Sequence, residues 1–330
     1  MSERRFLVIG SNSFTGSHFV RHLLDQGLEV VGVSRSDEPA VVFLPYRWGP
    51  CDGFRFHRID LNHDLDHLME VIEAQRTTHV VNFAAQGMVA QSWEHPDHWY
   101  MTNVVAQARL HERLRRLDHL EKYVHVSTPE VYGTTDEWMT ESTDFAPSTP
   151  YAVSRAACDL HLLALHEAYG YPVVFTRAAN VYGPGQQLYR IVPKTMLFAR
   201  TGRRLQLHGG GTSSRSFIHI SDVADATRRV ALVGDPGQTY HVSTQSAVTV
   251  RALVERICTM TGTPFGELVE VVGERLGKDQ AYLLDTVRLR RDLDWSDSIG
   301  LDDGLAATLC WVDDNLGRLR DMPTDYVHQP

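Results

Sequence analysis

Phe6-Leu7-Val8-Ile9-Gly10-Ser11-Asn12-Ser13-Phe14-Thr15-Gly16 decides how the rest of the chain is read. A continuous apolar run, closed by a glycine loop and followed by a helical pattern over Ser17–Gln26, reads as a buried strand feeding a helix. Continuous rather than alternating apolar character means that both faces of the strand are covered, as in the parallel sheet of an α/β protein. The loop between them presents backbone N–H groups at a helix N-terminus, where a dinucleotide pyrophosphate rests. Gly10 permits the tight turn and Gly16 permits close helix–sheet packing. Asn12, Ser13 and Phe14 complete the candidate cofactor loop, with Ser13 where a middle glycine might sit. No GK[ST] follows, which argues against a P-loop.

The pattern repeats outward from this loop. Strands are predicted at Glu29–Ser34, Phe54–Asp60, His79–Ala84, Lys122–Ser127 and Val173–Arg177. Helices are predicted at His63–Ala74, Val104–Leu117 and Tyr151–Tyr169. Alternating strands and helices imply a Rossmann-type, doubly wound parallel sheet. After Asn180 the pattern loosens into turns, with helices at Val250–Thr261, N-capped by Thr249, and around Leu301–Leu316. The expectation is a dinucleotide-binding domain over 1–179 and a smaller, mainly substrate-binding lobe over 180–330, some of whose segments return to the first domain. Asp321–Pro330 reads as loosely held.

A chain of 330 residues with 43% hydrophobic and 22% charged residues is an ordinary globular composition. The cysteines Cys51, Cys158, Cys258 and Cys310 form no CxxC pair, which argues for a reducing compartment. No signal-peptide layout and no apolar stretch of ~18 residues occurs. A cytoplasmic location with no membrane partner is therefore expected. A net charge of −9 argues against a nucleic-acid partner. His63 and His67 have the spacing of a metal pair but lack a third ligand, so no metal is expected.

The ribose of a bound dinucleotide is read at the end of the second strand, Ser34-Arg35-Ser36-Asp37. Arg35 leans toward the 2′-phosphate of NADP, while Asp37 keeps NAD open. Asp60 and Leu61, ending the third strand, are placed to meet the adenine. Tyr151 and Arg155 lie four apart and share one helical face. A fixed cation beside a phenol favours phenolate, so the pair is expected to draw the tyrosine down toward neutral pH, where it acts as a base.

Three segments carry the chemistry: Ser127-Thr128-Pro129-Glu130-Val131-Tyr132-Gly133, Tyr151-Ala152-Val153-Ser154-Arg155 and Asn180-Val181-Tyr182-Gly183-Pro184. Together with Asn82-Phe83-Ala84-Ala85 and Arg215-Ser216-Phe217-Ile218-His219-Ile220-Ser221-Asp222, they resemble the extended short-chain dehydrogenase/reductase family, in its NAD-dependent epimerase/dehydratase branch. Glu274–Asp279 with Tyr282–Asp285 resembles the late motif of dTDP-glucose 4,6-dehydratases. Gln86 and Val89-Ala90 resemble GDP-mannose 4,6-dehydratases. The resemblance implies tightly bound NAD or NADP and a nucleotide-sugar substrate. It also implies a homodimer packed through Val104–Leu117 and Tyr151–Tyr169. It assigns Tyr151, Arg155, Glu130 and Thr128 to catalysis. Gly10, Asn12, Ser13, Phe14, Gly16, Arg35, Asp60, Leu61, Ala84, Ala85, Asn103 and Ser127 go to the cofactor. Gln86, Asn180, Leu207, Arg215 and Arg275 go to the substrate. The family's usual lysine is Arg155 here, and an aspartate that dTDP-glucose dehydratases carry is Pro129. A 4-epimerase, a uronate decarboxylase and a non-catalytic NAD(P)-binding protein are the alternatives.

Overall fold

The side chains of β1 (Phe6–Ile9) alternate between two cores. Phe6 and Val8 pack into one, Leu7 and Ile9 into the other, as the two-residue strand period requires. The computed structural model describes residues 4–135, 137–273 and 282–329. Around β1 a parallel sheet is built from β2 (Val30–Ser34), β3 (Phe54–Arg58), β4 (His79–Asn82), β5 (Lys122–Val126), Val173–Ala178 and Thr239–Val242. Across the sheet the order is β3-β2-β1-β4-β5, then Val173–Ala178 and Thr239–Val242. The order reverses beside β1, where Ile9 pairs with Asn82. A crevice therefore opens beyond the carboxyl ends of β1 and β4, the position at which doubly wound sheets bind ligands.

The helices in chain order are α1 (Phe14–Asp25), α2 (Leu65–Gln75), α3 (Pro96–Tyr100), α4 (Ala106–Leu114), α5 (Pro150–Tyr169), α6 (Ile191–Thr201), α7 (Ile220–Val233) and α8 (Val250–Thr261). One face of the sheet is covered by α1 and α7, through Phe19, Val20, Leu23, Val223 and Val230. The other is covered by α2, α4 and α5, through Leu68, Ile72, Leu110, Leu114 and Leu162. A separate core gathers Val192, Met196, Leu253, Ile257, Leu305 and Val312 from α6, α8 and the helix Leu301–Asp314. No helix among the described residues is long and apolar enough to cross a membrane.

The predicted strands match those observed to within two residues at either end. Helix α1 begins three residues earlier than expected, because the Ser13 side chain caps it by accepting from the Gly16 N–H. Its N-terminus therefore sits inside the glycine loop. Thr249 caps α8 as expected, accepting from the Ala252 N–H at 3.1 Å. The carboxy-terminal segment departs from expectation. Thr324 is buried and accepts from Arg203 at 2.9 Å, and Asp325 pairs with Lys194 at 2.9 Å. The Gln329 carbonyl accepts from Arg35 Nη2 at 3.0 Å and Gln86 Nε2 at 2.9 Å. His328 stacks on Trp99. These partners come from distant stretches of chain, so local composition gave no sign of them.

Candidate active site

The cofactor loop is held open by contacts that only glycine allows. Gly10 has φ +83°, and a Cβ there would lie 2.9 Å from the Ala84 backbone nitrogen. A Cβ on Gly16 would lie 2.2 Å from the Gly10 carbonyl oxygen. The first turn of α1 carries no acidic residue, so its positive end is not neutralised from within. This cradle fits a dinucleotide pyrophosphate. The Asn12 amide braces the β2 loop instead of pointing outward: it donates to the Ser36 and Asp37 carbonyls and accepts from the Tyr46 hydroxyl at 2.9 Å.

The crevice continues into a cleft of about 1110 Å³ between the sheet and the second core. Ser13, Phe14, Arg35, Ala85, Gln86, Ser127, Thr128, Glu130, Tyr151, Arg155, Asn180, Leu207 and Arg215 all line it. Residues more than a hundred positions apart are thus brought to one wall. Glu130 is presented by a short helical turn, Pro129–Tyr132, that Thr128 caps and in which Pro129 takes the first position. Tyr151 opens α5, which Thr149 caps by accepting from the Ala152 N–H at 3.2 Å. Arg215 is buried, donates to the Ser214 carbonyl at 2.7 Å and lies over the Tyr282 ring.

Other expected site residues are engaged by bonds or packing within the protein. Asn103 is fully buried in a π-helical stretch, Met101–Val105, between α3 and α4. It accepts from the Gln86 N–H at 2.8 Å and donates to the Gln86 carbonyl at 3.0 Å and to Ser154 at 2.9 Å. Its side chain therefore holds the loop after β4 and does not reach into the cleft. Ser127 turns its hydroxyl inward to Asp159, at 2.7 Å. The Asp60 carboxylate accepts from the Asn62 N–H at 2.9 Å, and the Leu61 side chain is buried in the sheet core. Ala84 contributes its backbone N–H to the Asn82 side chain. Arg275 lies outside the described residues.

The electrostatics of Tyr151 differ from expectation. Burial and the Glu130 carboxylate push its phenol up to about 12, against the opposing pull of Arg155, Thr128 and Arg190. The sequence spacing identified the cation but not the desolvation, which is the larger effect. Arg190 is itself a cleft residue that the sequence reading missed. It sits at the N-cap of α6, just after the Gly183-Pro184 turn, and a helix-start pattern following that turn was the signal available. Lys194, Arg203 and Arg204 extend the same cationic wall.

Behind the site, His111, His125 and Cys158 bring three donor atoms within 4.8 Å of one another. The set does not fit a cation. Arg155 Nη2 lies 3.0 Å from His125 Nε2, and its guanidinium repels a second positive charge.

A family model described as the NAD dependent epimerase/dehydratase family matches residues 6–243. A dTDP-glucose 4,6-dehydratase from Streptomyces niveus is 33% identical, over 94% of this chain and 93% of its own length. A trifunctional UDP-glucose 4,6-dehydratase/epimerase/reductase from Arabidopsis thaliana is 29% identical over 94% of this chain, which spans 47% of that longer protein. Among solved structures, a dTDP-glucose 4,6-dehydratase from Streptomyces venezuelae, crystallised with NAD, superposes with a TM-score of 0.88 at 31% identity, covering 95% of this chain and 98% of its own. A Thermus thermophilus UDP-glucose 4-epimerase in complex with NAD superposes with a TM-score of 0.84 at 27% identity, covering 94% and 99%.

Proposed function

The chain belongs to the NAD dependent epimerase/dehydratase family, and on that premise we propose that it is a sugar-nucleotide 4,6-dehydratase, converting a nucleoside diphosphate hexose into its 4-keto-6-deoxy form. The observation that carries this reading is the presence of Glu130 and Tyr151 on one wall of the cleft, close enough for the carboxylate to raise the phenol's pKa. A 4-epimerase needs no carboxylate beside C5, whereas elimination across C5 and C6 does. The substrate lobe falls mainly within 180–330, from which α7 and the strand Thr239–Val242 return to the dinucleotide domain of 1–179, with Asn180, Leu207 and Arg215 on the sugar-nucleotide side.

A bound nicotinamide supplies the hydride acceptor, a positive charge in the cleft, and later the hydride donor. Tyr151 takes the proton of the C4 hydroxyl, with Thr128 orienting that oxygen; burial and Glu130 leave the phenol raised to about 12 despite Arg155 and Arg190, so the positive charge that a bound nicotinamide would add is needed to draw it down further. The C4 ketone acidifies the C5 hydrogen, and Glu130 removes it. Pro129 has no proton to give, so Glu130 also returns the proton to the C6 hydroxyl as water leaves. Arg190 and Arg215 take the diphosphate. The solved relatives with NAD favour NAD. Arg35 leaves NADP open, since Asp37 is turned to Arg58 at 3.3 Å. The exposed apolar residues Val153 and Leu160 on α5, with Tyr100 and Met101 nearby in sequence to α4, support a homodimer through this face. Leu162 and Leu165 of the same helix belong to the sheet core. A cytoplasmic location is part of the same reading.

The test is a panel of sugar nucleotides followed by mass spectrometry for loss of one water. Glu130→Gln should accumulate reduced cofactor and a 4-keto sugar, fail to exchange the C5 hydrogen with solvent deuterium, and lose ~10²–10⁴-fold in turnover. Tyr151→Phe should form no reduced cofactor. Near-normal turnover of Glu130→Gln, or a product of unchanged mass and inverted C4, puts the epimerase in front.

A further inference from the structure

Arg155 occupies a site that is built for it from behind. Its guanidinium is almost wholly buried, and Nη2 donates to two acceptors on β5, the Val126 carbonyl and His125 Nε2. His125 is buried too, and its ring must be neutral to accept from a guanidinium. The groups packed around the pair keep it so. Burial, and after it Arg155 and Arg177, outweigh the opposing pull of Asp159, so His125 is held down to about 4. Asp159 turns Oδ1 to within 3.3 Å of the same Nε2, while its Oδ2 accepts from Arg177 at 2.8 Å and from Ser127 at 2.7 Å; the carboxylate thus competes with Arg155 for this nitrogen, and only a bare Nε2 serves Arg155. His111, Tyr123 and Cys158 complete the surroundings without offering a charge. Among the described residues, Nη1 of Arg155 has no hydrogen-bond partner, and Arg155 lines the cleft. A planar guanidinium fixed through one nitrogen has the direction of the other fixed as well.

We propose that His125 is the positioning residue for Arg155, holding Nη2 through its unprotonated Nε2 so that Nη1 is the donor kept for what binds in the cleft beside Tyr151. A lysine has no fork to orient, so this use of the histidine goes with arginine at position 155. The role of Arg155 in turnover rests on the dehydratase reading, whereas the hydrogen bond does not.

The bond is tested directly by nitrogen-15 NMR of the histidine rings in the full chain. His125 should show Nδ1 protonated and Nε2 bare from pH 6 to 8. A ring protonated at Nε2 overturns the proposal, whatever the reaction proves to be. Its consequence is tested by kinetics. His125→Phe, which keeps the ring but removes the acceptor, should lower kcat ~10–100-fold with KM changed less than ~3-fold, on the scale of one lost hydrogen bond to a charge. His125→Gln, which restores an acceptor, should recover most of that loss. In an Arg155→Lys background His125→Phe should cost less than ~3-fold more. Equal losses in both backgrounds, or a Gln variant as poor as the Phe variant, would show a purely structural histidine. If no sugar nucleotide is turned over by the wild type, the NMR result still decides the positioning.

Discussion

Replacing Gly16 with alanine sets two effects against each other. Alanine favours the helix interior over glycine by about 1 kcal/mol, and Gly16 lies in the first turn of α1 with no positive φ to satisfy. Against this, the new methyl would meet the Gly10 carbonyl oxygen at 2.2 Å and Ser13 Oγ at 2.8 Å. That carbonyl cannot swing aside cheaply, because it accepts from the Ser13 N–H at 2.9 Å and the Ser13 hydroxyl at 2.7 Å. Overpacking of a rigid contact costs about 1–3 kcal/mol, and backbone on both sides puts this case at the upper end. The expected net is a loss of about 2 kcal/mol, or a glycine loop displaced from the α1 N-terminus with at least tenfold weaker dinucleotide binding. Gly266→Ala is the control, since nothing lies within 4 Å of its Cβ position and it should be neutral or slightly stabilising. Urea unfolding and calorimetric titration with NAD measure both. A Gly16→Ala protein matching wild type in stability and NAD affinity would refute the reasoning.

Arg35→Ala should weaken NADP binding by about 1.5–3 kcal/mol and leave NAD nearly unchanged; equal losses for both remove Arg35 as the discriminator. Deleting residues 325–330 should speed dinucleotide exchange in a stopped-flow displacement assay, because Asp325 bonds Lys194 and the Gln329 carbonyl bonds Arg35 and Gln86, and Asp325, Lys194, Arg35 and Gln86 all line the cleft; an unchanged rate would show that these contacts do not gate exchange. Burial holds His79 and His125 down to about 4 and His241 to about 3. The unfolded chain takes up these protons first, near pH 6.5, so stability is full above that pH and falls as the pH drops toward 4. The slope is about 1.4 kcal/mol per pH unit for each histidine. A urea midpoint unchanged between pH 7 and pH 5 would contradict it.

What the sequence determined by itself is what depends on neighbours along the chain. Burial of a strand on both faces shows as an unbroken apolar run in Phe6–Ile9 and as short valine-rich runs in Val30–Ser34 and His79–Asn82, so these strands were legible. So were the cap Thr249, the glycine loop, and the shared face of Tyr151 and Arg155. The tertiary structure decided what depends on partners far away in sequence. Thr239–Val242, with a threonine and a histidine among its four residues, gives no strand signal until it pairs with Val173–Ala178 at the sheet edge. Ser127 lines the cleft, but its hydroxyl is spoken for by Asp159, thirty-two residues on. The tail reads as loose until Arg35, Gln86 and Lys194 meet it. Tyr151 reads as an acidified phenol until its burial is known. Spacing along a helix reports which charge is near. Desolvation is set by every atom packed around the group, and that is known only once the chain has folded.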